Sequence, residues 1–254
     1  MVRAIATLLA GGVFLYCALC GVLFLFQRRL IYYPQSRSPM DGATTILLHS
    51  GEAAIVITAR LNRGPCAVIY FGGNAEDVSL SLPSVSAALP DHAVYLLHYQ
   101  SYGGSTGRPS EAALTTDALA LFDKVKGDHH RIVVVGRSLG AGVAIKVARA
   151  RPVARLVLVT PFASLRELAS RQFPYLPVRW LLRDPFESWR HAPHIRAPTL
   201  IIAAEHDEVI PRSSTEALCQ RFHPGVASLK VVAGTSHTTI SESPDYVPLL
   251  AGVP

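Results

Sequence analysis

The stretch with the clearest chemical potential is Gly136-Arg137-Ser138-Leu139-Gly140, set between the apolar run IVVVG and the helix-forming run AGVAIKVARA. Gly-x-Ser-x-Gly at a strand-to-helix junction is a tight turn that lifts a serine hydroxyl above a sheet. Gly136 and Gly140 flank the serine because a strained turn leaves little room for side chains. The helix that follows points its positive end at Ser138, which favours negative charge developing there. A serine hydroxyl is a weak nucleophile until a base takes its proton. The chain has ten histidines, so that base is chosen by position. His237 follows Gly234-Thr235-Ser236, directly after the last apolar run, on the side of the sheet where open α/β folds place their sites.

An imidazole that accepts a proton needs an acid to orient it and to stabilise its charge. Asp207 lies in Glu205-His206-Asp207-Glu208, just past the run TLIIAA, and its distance from the strand end makes it the preferred acid. Glu205 and Glu208 are alternatives in the same loop, and His206 is a rival base. The chain order Ser, Asp, His is that of one serine-hydrolase arrangement and differs from others. Acyl chemistry also needs donors for an oxyanion. One is the backbone N–H of Leu139. The other is expected from Phe71-Gly72-Gly73-Asn74-Ala75, through the main-chain N–H of Asn74. An ordinary glycine turn is the plainer reading of that loop.

These residues need a scaffold that brings them to one edge. Continuous apolar runs occur at 66–71, 93–99, 132–136, 155–160, 199–204 and 228–233, each bounded by Gly, Pro or polar residues. Such runs predict strands buried on both faces of a parallel sheet. Thr44–Ser50 and Ala53–Leu61, separated by Gly51-Glu52, predict an antiparallel hairpin at the sheet edge. Helices are expected at 80–89, 111–125, 138–149, 165–171 and 214–221, with Ser110 as an N-cap. Strand–helix alternation gives an α/β fold with a mostly parallel, twisted sheet of about eight strands flanked by helices. The proline-rich stretch 161–198 reads as a small cap or lid within a domain spanning 30–254.

The N-terminus has another use. Residues 4–26 carry no charge, and as a helix they would reach about 34 Å against a hydrocarbon core of about 30 Å. Arg3, Arg28, Arg29, Tyr32 and Tyr33 flank the run, as suits a membrane interface. A cleaved signal would have a shorter apolar region and a small-residue cleavage site, which FLFQRRL does not offer. Residues 1–29 are therefore expected to be a single-pass transmembrane anchor, with a lipid bilayer as partner. The flanking charges do not fix the side of the membrane. An anchor also accounts for a charged fraction of 17%, below the usual quarter. The net charge of +6 comes from basic residues spread along the chain, which argues against nucleic acid as a partner. Cys17 and Cys20 fall in the anchor, while Cys66 and Cys219 read as small buried hydrophobes. No metal-ligand spacing is visible, and no cofactor is called for.

FGGNAED, YQSYGGSTGRPSE, GRSLGAG, TPFASL, HDEVIP and SHTT occur in that order. Together with FQRRLIYYP they resemble the small membrane-anchored α/β hydrolases of the ABHD/BEM kind, over nearly the whole chain. The resemblance implies the α/β-hydrolase fold, a triad of Ser138, Asp207 and His237, and oxyanion donors at Asn74 and Leu139. It further implies esters or thioesters as substrates, fatty acyl groups on proteins among them, and some relatives are labelled peptidases. Gly72-Gly73-Asn74 replaces the family's His-Gly-Asn, Gln100-Ser101 its Arg-Gly, and His237-Thr238 its commoner His-Asn. The N-terminal cysteine cluster of some animal members is absent from this sequence. The expected function is a membrane-anchored serine hydrolase that cleaves carboxylic esters or thioesters of small-molecule or lipid acyl substrates through an acyl-enzyme. A serine peptidase with the same triad and a binding module with an unused site are the alternatives.

Overall fold

Fully burying a valine, leucine or isoleucine contributes about 1.5–3 kcal/mol, whereas intrinsic strand preferences span only about 1 kcal/mol. Apolar runs therefore decide where strands form. In the computed structural model, which describes residues 1–252, eight strands among those residues form one sheet. They are β1 (Thr44–Ser50), β2 (Ala53–Arg60), β3 (Cys66–Phe71), β4 (Ala93–Leu97), β5 (Arg131–Arg137), β6 (Arg155–Val159), β7 (Thr199–His206) and β8 (Ala227–Ser236). Their order is β1-β2-β4-β3-β5-β6-β7-β8. The pairs β1–β2 and β2–β4 are antiparallel and all others are parallel.

The helices are α1 (Val2–Ile31), α2 (Leu82–Ala88), α3 (Glu111–Asp128), α4 (Leu139–Ala150), α5 (Leu165–Gln172), α6 (Val178–Leu181), α7 (Ser188–His191), α8 (Arg212–Cys219) and α9 (Tyr246–Ala251). Successive side chains in a strand point to opposite faces, and here each face has its own core. Ala67, Ile69 and Phe71 pack with Leu114 and Phe122 of α3 and Val143 and Val147 of α4. Val68 and Tyr70 pack with Leu82 and Val85 of α2 and Tyr246 of α9. Strand β1 instead alternates between exposed and half-buried positions, as expected of an edge with one face in solvent.

Several boundaries differ from expectation for local reasons. The helix expected at 80–89 begins as a 3₁₀ turn over Val78–Ser81, capped by the Asp77 carboxylate accepting from the Ser79 N–H. The regular helix starts at Leu82, with Pro83 in its first turn, where a missing N–H costs nothing. Ser110 caps α3 as expected, its hydroxyl accepting from the Ala113 N–H. Cys66 and Cys219, expected to be buried, are half-buried. The short helices α6, α7 and α9 carried no readable period.

The stretch 161–198 has two parts. Phe162, Ala163, Phe186, Ala192 and Ile195 are buried in the main core. The Glu111 carboxylate accepts from the Phe186 N–H at 2.8 Å and pairs with Lys146, which fixes this return path. Helices α5 and α6, by contrast, contain no buried residue.

Helix α1 is long and apolar enough to cross a membrane. Its C-terminal end is bolted to the rest of the chain. Arg28 donates to both Asp184 oxygens at 2.8 and 3.2 Å. Gln27 donates to the Leu181 carbonyl and accepts from the Arg183 N–H. The Asn74 side chain donates to the Ile31 carbonyl at 2.5 Å and accepts from the Tyr33 N–H at 3.0 Å. Asn74 lies in the loop after β3 (Cys66–Phe71).

Candidate active site

Strand β5 delivers Ser138 to the carboxyl edge of the sheet in a backbone conformation of φ +49°, ψ −114°. For a residue with a Cβ this is strained, by about 1–3 kcal/mol, and it persists only where surrounding packing enforces it. The Ser138 N–H donates to the Val159 carbonyl of β6 at 2.9 Å. The two glycines explain the enforcement. A Cβ on Gly136 would lie 2.4 Å from the Gly140 carbonyl oxygen and 2.6 Å from Ala144 Cβ. One on Gly140 would lie 2.1 Å from the Phe71 carbonyl oxygen. Helix α4 thus crosses β3 and β5 at a distance that only glycine permits, and the chain enters it through the strained turn at Ser138.

The loops after β7 and β8 meet at this point. His237 Nε2 lies 3.0 Å from Ser138 Oγ, and His237 Nδ1 lies 3.0 Å from both Asp207 oxygens. Asp207 Oδ1 also accepts from the N–H groups of Val209 and Ile210, at 3.0 and 2.7 Å. A carboxylate accepting from two amides is fixed as an acceptor, so the proton between it and the imidazole belongs on Nδ1. The Nε2 lone pair then faces the serine hydroxyl, the arrangement required of a base. Both side chains are largely buried, His237 at 12% and Asp207 at 6% exposure, which keeps competing water from the Nδ1 bond.

The neighbouring acids have different partners. Glu205 accepts from the Gly234 N–H and Glu208 from the His237 N–H, so both brace the histidine loop by its backbone. His206 is 72% exposed and turned toward Glu205. The loop after β3 lies against Ser138, a Cβ on Gly73 being 3.5 Å from Ser138 Cβ. Among the described residues, the main-chain N–H groups of Asn74 and Leu139 donate to no protein acceptor. The Asn74 side chain donates to the Ile31 carbonyl, accepts from the Tyr33 N–H and the Tyr102 hydroxyl, and faces α1.

Two residues to which the sequence reading gave no role tie these loops together. Glu76 accepts from the Gly73 N–H at 2.6 Å, from the Tyr70 hydroxyl at 2.7 Å and from Ser81 at 2.9 Å. Arg137 lies 3.6 Å from Glu76 and donates to the His237 and Thr238 carbonyls at 3.3 Å. Burial works against the Arg137 charge, but Tyr70, Glu76 and Tyr246 outweigh it and raise its pKa. A charged residue at the variable position of the serine turn was the available signal. Replacing Arg137 with methionine should lower kcat by about 10²-fold, the usual cost of an ångström-scale misplacement. Arg137→Lys should recover only part of this, since one ammonium cannot span three acceptors. Steady-state kinetics on a soluble ester, with kcat and KM separated, checks both.

The departures at 72 and 100–101 have structural causes. A Cβ on Gly72 would lie 2.3 Å from Val78 Cγ1, so no larger residue fits there unless Val78 moves. Gln100 donates to Asp117 and accepts from the Arg108 N–H, and Ser101 donates to the Gly107 carbonyl. These side chains close their own loop. Among the described residues, no cluster of three or more His, Cys, Asp or Glu converges in a way that could hold a metal ion.

A family model described as "Serine aminopeptidase, S33" matches residues 181–244, which take in Asp207 and His237. The chain is similar to an uncharacterized protein of Mycobacterium tuberculosis, at 37% identity over 236 residues, covering 85% of this chain and 80% of that one. The chain belongs to the α/β-hydrolase superfamily. This hydrolase is also similar to the lysophosphatidylserine lipase ABHD12 of Mus musculus, 33% identical over 168 residues, 57% of this chain and 42% of that one. Among solved structures, the Pyrococcus furiosus esterase Pf2001 superposes with a TM-score of 0.71 at 18% identity, covering 87% of the hydrolase and 95% of the esterase. That likeness is one of fold.

Proposed function

We propose that this hydrolase is a membrane-anchored serine esterase or thioesterase acting on acyl groups presented at a lipid surface. The observation that carries the reading is the relay of two 3.0 Å contacts, Ser138 Oγ to His237 Nε2 and His237 Nδ1 to Asp207. In the first step Ser138 Oγ attacks the acyl carbonyl and passes its proton to His237 Nε2. The Leu139 and Asn74 N–H groups hold the oxyanion. The intermediate expels the alcohol or thiol, which leaves with the proton from His237, and an acyl-enzyme remains. Water then attacks that ester, giving its proton to His237, and Ser138 departs as the free hydroxyl with the carboxylic acid released. Asp207 stays ionised throughout and stabilises the imidazolium.

Residues 1–29 serve as the anchor and 30–254 as the catalytic domain, with the cap drawn from 161–198. The bond between Asn74 and Ile31 supports a lipid-derived substrate, because the oxyanion loop is held directly at the foot of the helix. ABHD12, a lipase by name, supports the same class. The aminopeptidase description of the matching family model favours a peptidase as the second reading.

The test uses the full chain in phosphatidylcholine nanodiscs. It is given a lysophospholipid, an acyl-thioester peptide, a short soluble ester and an aminoacyl anilide. Hydrolysis of the acyl esters or thioesters, faster for the membrane-presented ones, is the expected result. Cleavage of the anilide alone would replace this reading with the peptidase.

A further inference from the structure

Helix α1 does not stand clear of the domain. The Tyr16 hydroxyl, in the middle of the apolar run, donates to the Tyr175 carbonyl at 2.7 Å. The loop joining α5 to α6 therefore reaches back along the helix well past its C-terminal end. The far end of α6 is fixed too, by the bonds of Gln27 to Leu181 and Arg183. From Gln27 to Tyr16 at about 1.5 Å per residue is about 16 Å along the axis.

This geometry constrains the cap wherever the membrane boundary falls. A span needs at least about 17 residues. Counted from Ala4 it already reaches Cys20, and any later start moves it further along the chain. Tyr16 lies inside every such span, and the carbonyl that it holds lies inside with it.

The chemistry of the segment agrees. Between Arg171 and Arg183 the sequence is QFPYLPVRWLL, whose one charged residue, Arg179, is long enough to reach toward headgroups. Tyr175 is 89% exposed, Trp180 83% and Phe173 51%, a poor arrangement for water. Backbone groups in lipid must be satisfied within the protein. Pro174 and Pro177 have no N–H to satisfy, and Phe173, Leu176, Val178, Trp180, Leu181 and Leu182 all donate to nearby carbonyls. The crevice between cap and helix is lined by apolar side chains, Leu23, Phe24, Leu176, Pro177 and Leu181 among them, and by the polar Gln27.

We propose that the segment from Phe173 to Leu182 is a second membrane-embedded element, inserted beside α1 into the adjoining phospholipid leaflet. It rests on the reading of α1 as a membrane anchor. The cap leaves the sheet just after β6, the strand whose Val159 carbonyl binds the Ser138 N–H.

The chain has two tryptophans, Trp180 and Trp189, which gives a direct test. The full-length Trp189→Phe variant is reconstituted into phosphatidylcholine vesicles with bromine on the acyl chains. The expected result is loss of Trp180 emission to the brominated lipid, a blue-shifted maximum and little quenching by aqueous acrylamide. Undiminished emission in brominated vesicles overturns the proposal, whatever acrylamide does. A companion, Phe14→Trp in a Trp180→Phe, Trp189→Phe background, reports on α1 itself. If the companion is quenched while Trp180 is not, the cap proposal alone fails. If neither is quenched, the anchor reading fails and the proposal falls with it.

Discussion

Replacing Ser138 with alanine should lower the turnover of an acyl ester by about 10⁴- to 10⁶-fold, with the fold intact. The substitution removes the one atom among the described residues that the His237 Nε2 lone pair faces at bonding distance, 3.0 Å. Alanine places the same demand on the backbone at φ +49° as serine does, so the turn survives. His237→Ala should cost nearly as much, and the double variant little more, because the members of such a relay act as a unit. Asp207→Asn should lose about 10⁴-fold, since an amide can turn its NH₂ toward Nδ1 and favour the wrong tautomer. Single-turnover kinetics with a fluorophosphonate probe, beside thermal midpoints of each variant, reads chemistry apart from stability. A Ser138→Ala protein that stays folded and works within about tenfold of the parent would overturn the mechanism.

Gly140→Ala should destabilise the protein, against the rule for helices, where alanine is better than glycine by about 0.8–1.0 kcal/mol. The new Cβ would lie 2.1 Å from the Phe71 carbonyl oxygen and 2.5 Å from that of Gly72. Both are backbone atoms, so no side chain can swing aside. The strain has to be relieved by moving α4 away from β3, at a cost of about 1–3 kcal/mol or more. For a domain of this size that lowers the thermal midpoint by about 2–4 °C per kcal/mol. The displacement also shifts Gly72–Asn74 relative to Ser138, so activity should fall further than stability accounts for. Gly127→Ala is the control. Gly127 lies in α3, and a methyl group added there would meet nothing within 4 Å, so the helix rule should hold and stability should rise. Equal effects at the two sites would mean that the contact of Gly140 with β3 is not as described.

Strands β3, β5 and β6 were legible because continuous apolar runs carry their burial in the sequence itself. The hairpin β1–β2 was legible from the Gly51-Glu52 break, and its pairing in register from Thr44↔Ala59 to Ser50↔Ala53 follows from a two-residue turn. Strand β7 runs to His206, beyond the apolar run TLIIAA, because its last residues pair with β8 rather than bury themselves. Arg137 and Glu76 were missed because nothing local distinguishes a charged side chain that bridges loops from one in solvent. Asn74 was read for its main chain, while its side chain turned out to clamp α1, a partner 43 residues away in sequence.

The sequence by itself determined the fold class, the apolar helix at the N-terminus and the order of Ser138, Asp207 and His237 along the sheet. Those properties reside in period, composition and turn chemistry, which act over a few residues at a time. Tertiary structure alone decided that Asp207 rather than Glu205 or Glu208 meets the His237 imidazole, and that Arg137 braces both loops. It also decided that the loop around Tyr175 lies along α1. Each of these rests on polar contacts between residues far apart in the chain, 30 positions for Asp207 and His237, 100 for Arg137 and His237 and 159 for Tyr16 and Tyr175. Such contacts exist only once the packed sheet has set which loop tips converge, and no local pattern encodes that distance.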